Sequence, residues 1–72
     1  MTNNQLRGLS DIQKAFVQRV REEVGEIAAV SVETVLKQGP AATRLQGINQ
    51  EQLGWISILA VEMDVTLPTK DL

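Results

Sequence analysis

The sequence predicts a small all-α domain, and three observations support this prediction. Asn49 stands at the start of a capping box, a residue pattern that begins helices. Before it, apolar residues recur at helical spacing from Leu9 to Val35, with most charged residues on the other side. Between these two regions, Gly39 and Pro40 form a typical helix stop. We therefore expect one domain over 1–72, with two main helices.

The first helix is predicted at about 10–38, after a frayed polar lead at 1–8. Ser10 is its expected N-cap, because Gln13 follows at the capping-box spacing and Asp11 suits the helix dipole. On a helical wheel, the apolar residues of this stretch fall on one side. These residues are Leu9, Ile12, Phe16, Val17, Val20, Val24, Ile27, Val30 and Val35.

Gly25 is the weak point of this predicted helix. A glycine inside a helix costs about 1 kcal/mol relative to alanine, and the β-branched stretch 29–35 follows it. One continuous or kinked helix is favoured, and a break near Gly25 into two shorter helices is the alternative.

The second helix is predicted at about 50–63, after a short connecting segment at 40–46. Asn49 and Gln52 form its capping box, and Ile48 can pack on Leu53 across the cap. Beyond the helix, an extended C-terminal tail is expected. The competing interpretation is a strand over 61–67, where apolar and polar residues alternate.

This second helix is apolar on nearly all sides, which indicates burial or a shared surface with a partner. Ile58 and Val61 lie opposite its main apolar face, and a monomer of this size would expose them. We expect a homo-oligomer, most simply a two-fold dimer, or docking on another protein. The expected interface residues are Trp55, Ile56, Ile58, Leu59, Val61 and Met63.

Composition argues against several function classes. The 72 residues include no His and no Cys, which leaves the usual zinc and haem sites without ligands. The net charge of −2, with dispersed basic residues, disfavours nucleic acid and anionic membranes as partners. No apolar run reaches the length of a membrane span. A cytoplasmic protein without cofactor or metal is expected.

Catalytic chemistry is also not expected. The remaining candidates are carboxylates, Lys, Ser and Thr, and Glu22, Glu23 and Glu26 form the main acidic cluster. This cluster lies beside Arg19 and Arg21, as on a solvated helix surface. The glycines are scattered and form no phosphate-binding loop. The chain is therefore expected not to be an enzyme.

The stretch 26–35 resembles part of the bacterial helix-turn-helix, in which an Ala precedes a turn that is followed by Ser-x-x-Thr-Val. Ala28 and Ala29 precede Ser31, Thr34 and Val35 here, with too few residues between them for the turn. A small DNA-binding regulator is kept as an alternative, although the charge balance disfavours it.

The stretch from 12 to 72 resembles the first two thirds of an acyl or peptidyl carrier protein. Leu45, Gly47 and Asn49 stand where that family has its Leu-Gly-x-Asp-Ser motif. The register then continues through Glu62, Met63, Val65, Leu67, Pro68 and Leu72. The resemblance implies a helical module that docks on biosynthetic enzymes. Asn49 replaces the serine that carries phosphopantetheine, and the family's last helices have no counterpart, so a degenerate or truncated carrier-like module is the second alternative.

Overall fold

The computed structural model describes residues 8–38, 45 and 47–68, and these residues form three α-helices. The helices are α1 (Asp11–Glu23), α2 (Glu26–Gln38) and α3 (Gln50–Glu62). No strand occurs within the described residues, so the predicted all-α class is confirmed there. The connecting segment at 40–46, apart from the buried Leu45, lies outside the described residues, as do most of the polar lead and positions 69–72.

Both predicted capping boxes are present. At the start of α1, the Gln13 N–H donates to Ser10 Oγ at 3.1 Å, and the Ser10 N–H donates to Gln13 Oε1 at 2.9 Å. At the start of α3, the Gln52 N–H donates to Asn49 Oδ1 at 2.8 Å, and the Asn49 N–H donates to Gln52 Oε1 at 3.0 Å. These bonds satisfy backbone donors that the first turn of a helix leaves without partners.

The prediction of a single helix over about 10–38 is wrong, because the chain breaks at Gly25. Gly25 has a φ of 145°, a backbone conformation that residues with a Cβ rarely adopt. Its N–H donates to Val20 O at 3.0 Å, and its own carbonyl accepts from the Ala29 N–H at 3.0 Å. One residue therefore ends α1 and begins α2, and α2 packs against α1.

The break also changes which side of α2 is buried. Ile27 and Val30 lie on the apolar side of the single predicted helix but are exposed, whereas Ala28, Ala29 and Val32 are buried. The single helical wheel failed here because the turn at Gly25 resets the angular position of every later residue. Ile12, in the first turn of α1, is exposed as well. The buried apolar residues of the described chain are Phe16, Val17, Val20, Ala28, Ala29, Val32, Val35, Leu45, Ile56, Leu59, Ala60 and Leu67.

The third helix lies antiparallel to α1. Arg19 contacts Glu62 near the end of α3, while Glu23, one turn later in α1, contacts Trp55 near the start of α3. Ile56 and Leu59 thereby enter the core beside the buried residues of α1. None of the helices within the described ranges is long and apolar enough to cross a membrane.

The chain turns after α3 through Asp64, which has a φ of 57°. The Asp64 N–H donates to Val61 O at 3.2 Å, and the Val65 N–H donates to Ala60 O at 2.8 Å. This is the bond pattern of a Schellman motif, in which glycine usually occupies the left-handed position. The turn brings Val65 and Leu67 back onto the core, and 65–68 contain no regular secondary structure.

Candidate interaction surface

The expected interface residues divide between two sides of α3. Ile56 and Leu59 are 0% and 2% exposed and belong to the chain's own core, and Met63 is half-buried against that core. Trp55, Ile58 and Val61 are 48%, 63% and 80% exposed. We call these last three residues, together with Gly54, the outer face of α3. Only this part of the expected set is accessible to a second protein.

Helical spacing brings the outer face together. Trp55, Ile58 and Val61 follow one another at intervals of three, and residues three or four apart are neighbours on a helix surface. Gly54 is four residues before Ile58 and is exposed on the same side. The outer face is therefore one continuous apolar strip along α3.

Trp55 is held at one edge of this strip by the end of α1. Its indole N–H donates to Glu23 Oε1 at 3.3 Å. Arg19 in turn donates to the other carboxylate oxygen of Glu23, and its Nη2 lies 3.5 Å from Glu62 Oε1. A polar row of Trp55, Glu23, Arg19 and Glu62 thus follows the boundary between α1 and α3.

The contact between Arg19 and Glu23 favours the ionised form of both groups. The hydrogen bond from Arg19 is the main cause that lowers the pKa of Glu23, and the charge of Arg19 and the Trp55 indole act in the same direction. Desolvation opposes them in part. The hydrogen bond to Glu23 likewise raises the pKa of Arg19. Charged groups therefore border the apolar strip on the α1 side.

The side of the outer face that carries Trp55 is acidic, because Glu51 lies four residues before Trp55 and Glu62 lies seven residues after it. Glu51 precedes Gly54 by three positions and Glu62 follows Ile58 by four, so both lie beside the outer face. The sequence of α3 contains no Lys or Arg, and Asp64 is exposed just beyond its end. Glu51 makes no ion pair with the residues that the structure describes.

Gly54 is the one glycine inside α3, and the chain's own packing does not require it. A methyl group placed at Gly54 would have no neighbouring atom within 4 Å. A helical glycine is nevertheless unfavourable by about 1 kcal/mol relative to alanine. The outer face therefore has a notch where the backbone of α3 is accessible. Sequence reasoning missed this feature, although a lone glycine within an apolar helical pattern was its signal.

A second exposed apolar pair lies on α2. Ile27 is 70% exposed and Val30 is 49% exposed. The loop before α3 passes close to this pair, because a methyl group at Gly47 would lie 3.2 Å from Ile27 Cγ2. The sequence placed both residues on the apolar side of one long helix and did not single them out as exposed.

The acidic cluster of α1 and α2 is engaged by neighbouring polar side chains. Gln18 donates to Glu22, and Arg21 donates to Glu26 at 2.8 Å. Among the described residues, no group of three potential metal ligands is close enough to hold an ion. Asn49, which stands at the serine position of the carrier-protein motif, uses its side chain as the cap of α3. The stretch that resembles a helix-turn-helix lies within α2.

No protein-family model, curated protein or solved structure matches this chain. The resemblance to carrier proteins stays a prediction.

Proposed function

We propose that this chain is a non-enzymatic interaction module that buries the outer face of α3 against another protein chain. The observation that carries the proposal is the exposure of Trp55, Ile58 and Val61 on a helix whose opposite side is already packed. Burying an exposed Ile or Val side chain contributes about 1.5–3 kcal/mol. The same residues therefore favour association once a complementary surface is present.

The helix that carries this face is held in place by the rest of the fold. Its start is capped by Asn49, and its inner side is anchored in the core by Ile56 and Leu59. A rigid apolar strip of this kind suits the packing of helix on helix, where anchors recur every three or four residues. The partner is a second copy or a larger protein, and a cytoplasmic setting belongs to the same proposal.

A non-enzymatic role agrees with the state of the polar side chains. The sequence has no His and no Cys, and Glu23 and Glu26 are paired with Arg19 and Arg21 at the surface. The pKa of Glu23 is lowered by its bond to Arg19, which is the opposite of the raised pKa that general acid catalysis needs at neutral pH. These features support a binding role.

The experiment compares variants of the outer face in the cells that make the protein. A tagged chain is isolated under gentle conditions, and its mass is measured by size exclusion with light scattering. We expect the original chain in an assembly larger than one copy. Ile58→Asp and Val61→Asp should release the folded monomer, because each would bury an unpaired charge in the interface.

Glu22→Ala is the matched control, since Glu22 is exposed on α1 and, among the described residues, accepts a hydrogen bond from Gln18 alone. It should leave the assembly unchanged. If Ile58→Asp keeps both its helical circular dichroism and the original assembly, the outer face is not the interface and the proposal is wrong.

A further inference from the structure

The border of the outer face is acidic, and this restricts the partner. Glu51 and Glu62 lie on the same side of the strip as Trp55, and Glu23 is bonded to Trp55 at that edge. Arg19 is the described cation that contacts this border, and both Glu23 and Glu62 already engage it. A protein that covers the strip therefore meets a net negative rim.

A second copy of α3 does not complement this rim. The helix contains acidic residues and no basic ones, so α3 packed against α3 opposes acidic residues with acidic residues, while Arg19 of each copy is engaged by its own Glu23 and Glu62. Like charges opposed across a helix pair are destabilising. A contact between α3 and a different surface of a second copy would be heterologous and would continue into rings or filaments.

Gly54 indicates the shape of the partner. Because a side chain is absent there and no atom of the chain fills the space, another backbone can come close to α3 at that point. The apolar residues that follow the notch, Trp55, Ile58 and Val61, have the three-residue spacing of neighbours on a helix surface. A helix crossing at Gly54 would contact Trp55 and Ile58 at the same time.

We propose that the outer face binds an amphipathic helix of a different protein, whose apolar stripe is flanked by Lys or Arg. This inference rests on the proposed function and adds the chemistry of the partner. The apolar stripe packs over Ile58 and Val61 and across Gly54. The basic flanks pair with Glu51 and Glu62, which are exposed along the border.

Trp55 supplies the readout, because it is the only tryptophan of the chain and lies on the outer face. The probe is a small panel of synthetic helical peptides that have a leucine stripe and lysine flanks. The matched control panel has glutamate in place of each lysine. We expect the lysine peptides to shift the Trp55 emission to shorter wavelength, to saturate, and to bind at least about tenfold more tightly than the glutamate peptides.

Three variants distinguish the proposed binding of a helix on the outer face from non-specific electrostatic binding of a lysine-rich peptide to the acidic chain. Ile58→Asp adds negative charge, so non-specific binding would strengthen, whereas the proposal predicts loss of the shift. Gly54→Ala should stabilise the free chain and weaken peptide binding by about tenfold, because the methyl group fills the notch. The double variant E51Q/E62Q should remove most of the preference for lysine flanks.

Several results would overturn this inference. Equal binding of both panels would show that the acidic border selects nothing, and no shift with either panel would show that such helices do not bind. A mass that rises with the concentration of the purified chain, together with a blue shift of Trp55, would show that a second copy covers the face. That last result would leave the proposed interaction function standing, whereas an Ile58→Asp variant that keeps its cellular assembly would remove both.

Discussion

Ile56 and Ile58 lie two residues apart in α3 and have the same side chain, yet they meet different surroundings. Ile56 is fully buried against α1, whereas Ile58 is 63% exposed on the outer face. The sequence of α3 is apolar on both sides, so composition does not distinguish them. The difference shows that α1 covers one side of α3 and leaves the other side exposed.

The packed surface that covers α3 depends on a short region far from α3 in sequence. Gly25 ends α1 and lets α2 pack beside it, so that Phe16 and Val20 form a core onto which Ile56 docks. A continuous helix would not bring these surfaces together in the same way. The inner side of α3 therefore serves stability, and its outer face is left for binding.

The largest expected effect comes from making the same substitution on the two sides. Ile56→Ala should lower the free energy of unfolding by about 2–5 kcal/mol, because it leaves a cavity in the core. Ile58→Ala should change it by less than about 0.5 kcal/mol, since the Ile58 side chain is largely exposed. Chemical denaturation followed by circular dichroism measures both. Similar losses in the two variants would mean that the sides of α3 are not distinct.

The second prediction tests the break at Gly25, which lets α2 pack beside α1. Gly25→Ala should destabilise the fold by about 1–3 kcal/mol, because alanine is strained at a φ of 145°. Gly54→Ala is the matched control, and it should stabilise the free chain by about 1 kcal/mol. An added methyl group meets no atom within 4 Å at either site, so the opposite signs would report backbone conformation alone. Thermal unfolding of both variants would check this prediction. A Gly25→Ala variant that is more stable than the original chain would argue against the positive φ at Gly25.

A smaller effect is expected at the turn that follows α3 and brings Val65 and Leu67 back onto the core. Asp64 has a left-handed backbone conformation, and Asp64→Gly should raise stability by about 0.5–1 kcal/mol by relieving it. Asp64→Ala is the control that removes the same charge without relieving the backbone, and it should not stabilise. Melting temperatures measure both changes. If the two variants behave alike, charge rather than conformation is the cause.

The smallest effect concerns the polar row that borders the outer face. The bond from Arg19 holds the pKa of Glu23 below its ordinary value of 4.5. The folded state thus gains from this ionised pair above that pH and loses the gain as the pH falls through the lowered pKa. The Trp55 emission should change with a midpoint below 4.5, and Glu23→Gln should abolish this change. A midpoint above 4.5, or one that persists in the variant, would contradict the described contact.

Local chemistry was the part of the fold that the sequence predicted best. The capping boxes at Ser10 and Asn49 depend on residues three positions apart, and both are present. The break at Gly25 was recognised only as an alternative, because its outcome depends on the packing gained when α2 returns to α1. That choice then decided which residues of α2 are buried, so Ile27 and Val30 were misplaced.

The candidate surface was predicted only in part, because the packing of the chain's own helices decides which side of α3 stays exposed. Ile58 and Val61 were recognised from their position opposite the main apolar face, and the structure leaves them exposed. Ile56 and Leu59 were assigned to the same interface, but the chain's own core uses them. The bond between Trp55 and Glu23 joins residues far apart in sequence, so no local pattern could predict it.

The most direct test of the binding role is photo-crosslinking in the cells that make the protein. A benzophenone amino acid is placed at Ile58 in one variant and at Lys14, which is exposed on α1, in the other. The outer face, if it is the binding surface, should give a discrete covalent product from position 58 and none from position 14. A folded chain that gives no product at 58, or equal products at both positions, would contradict the proposed role of α3.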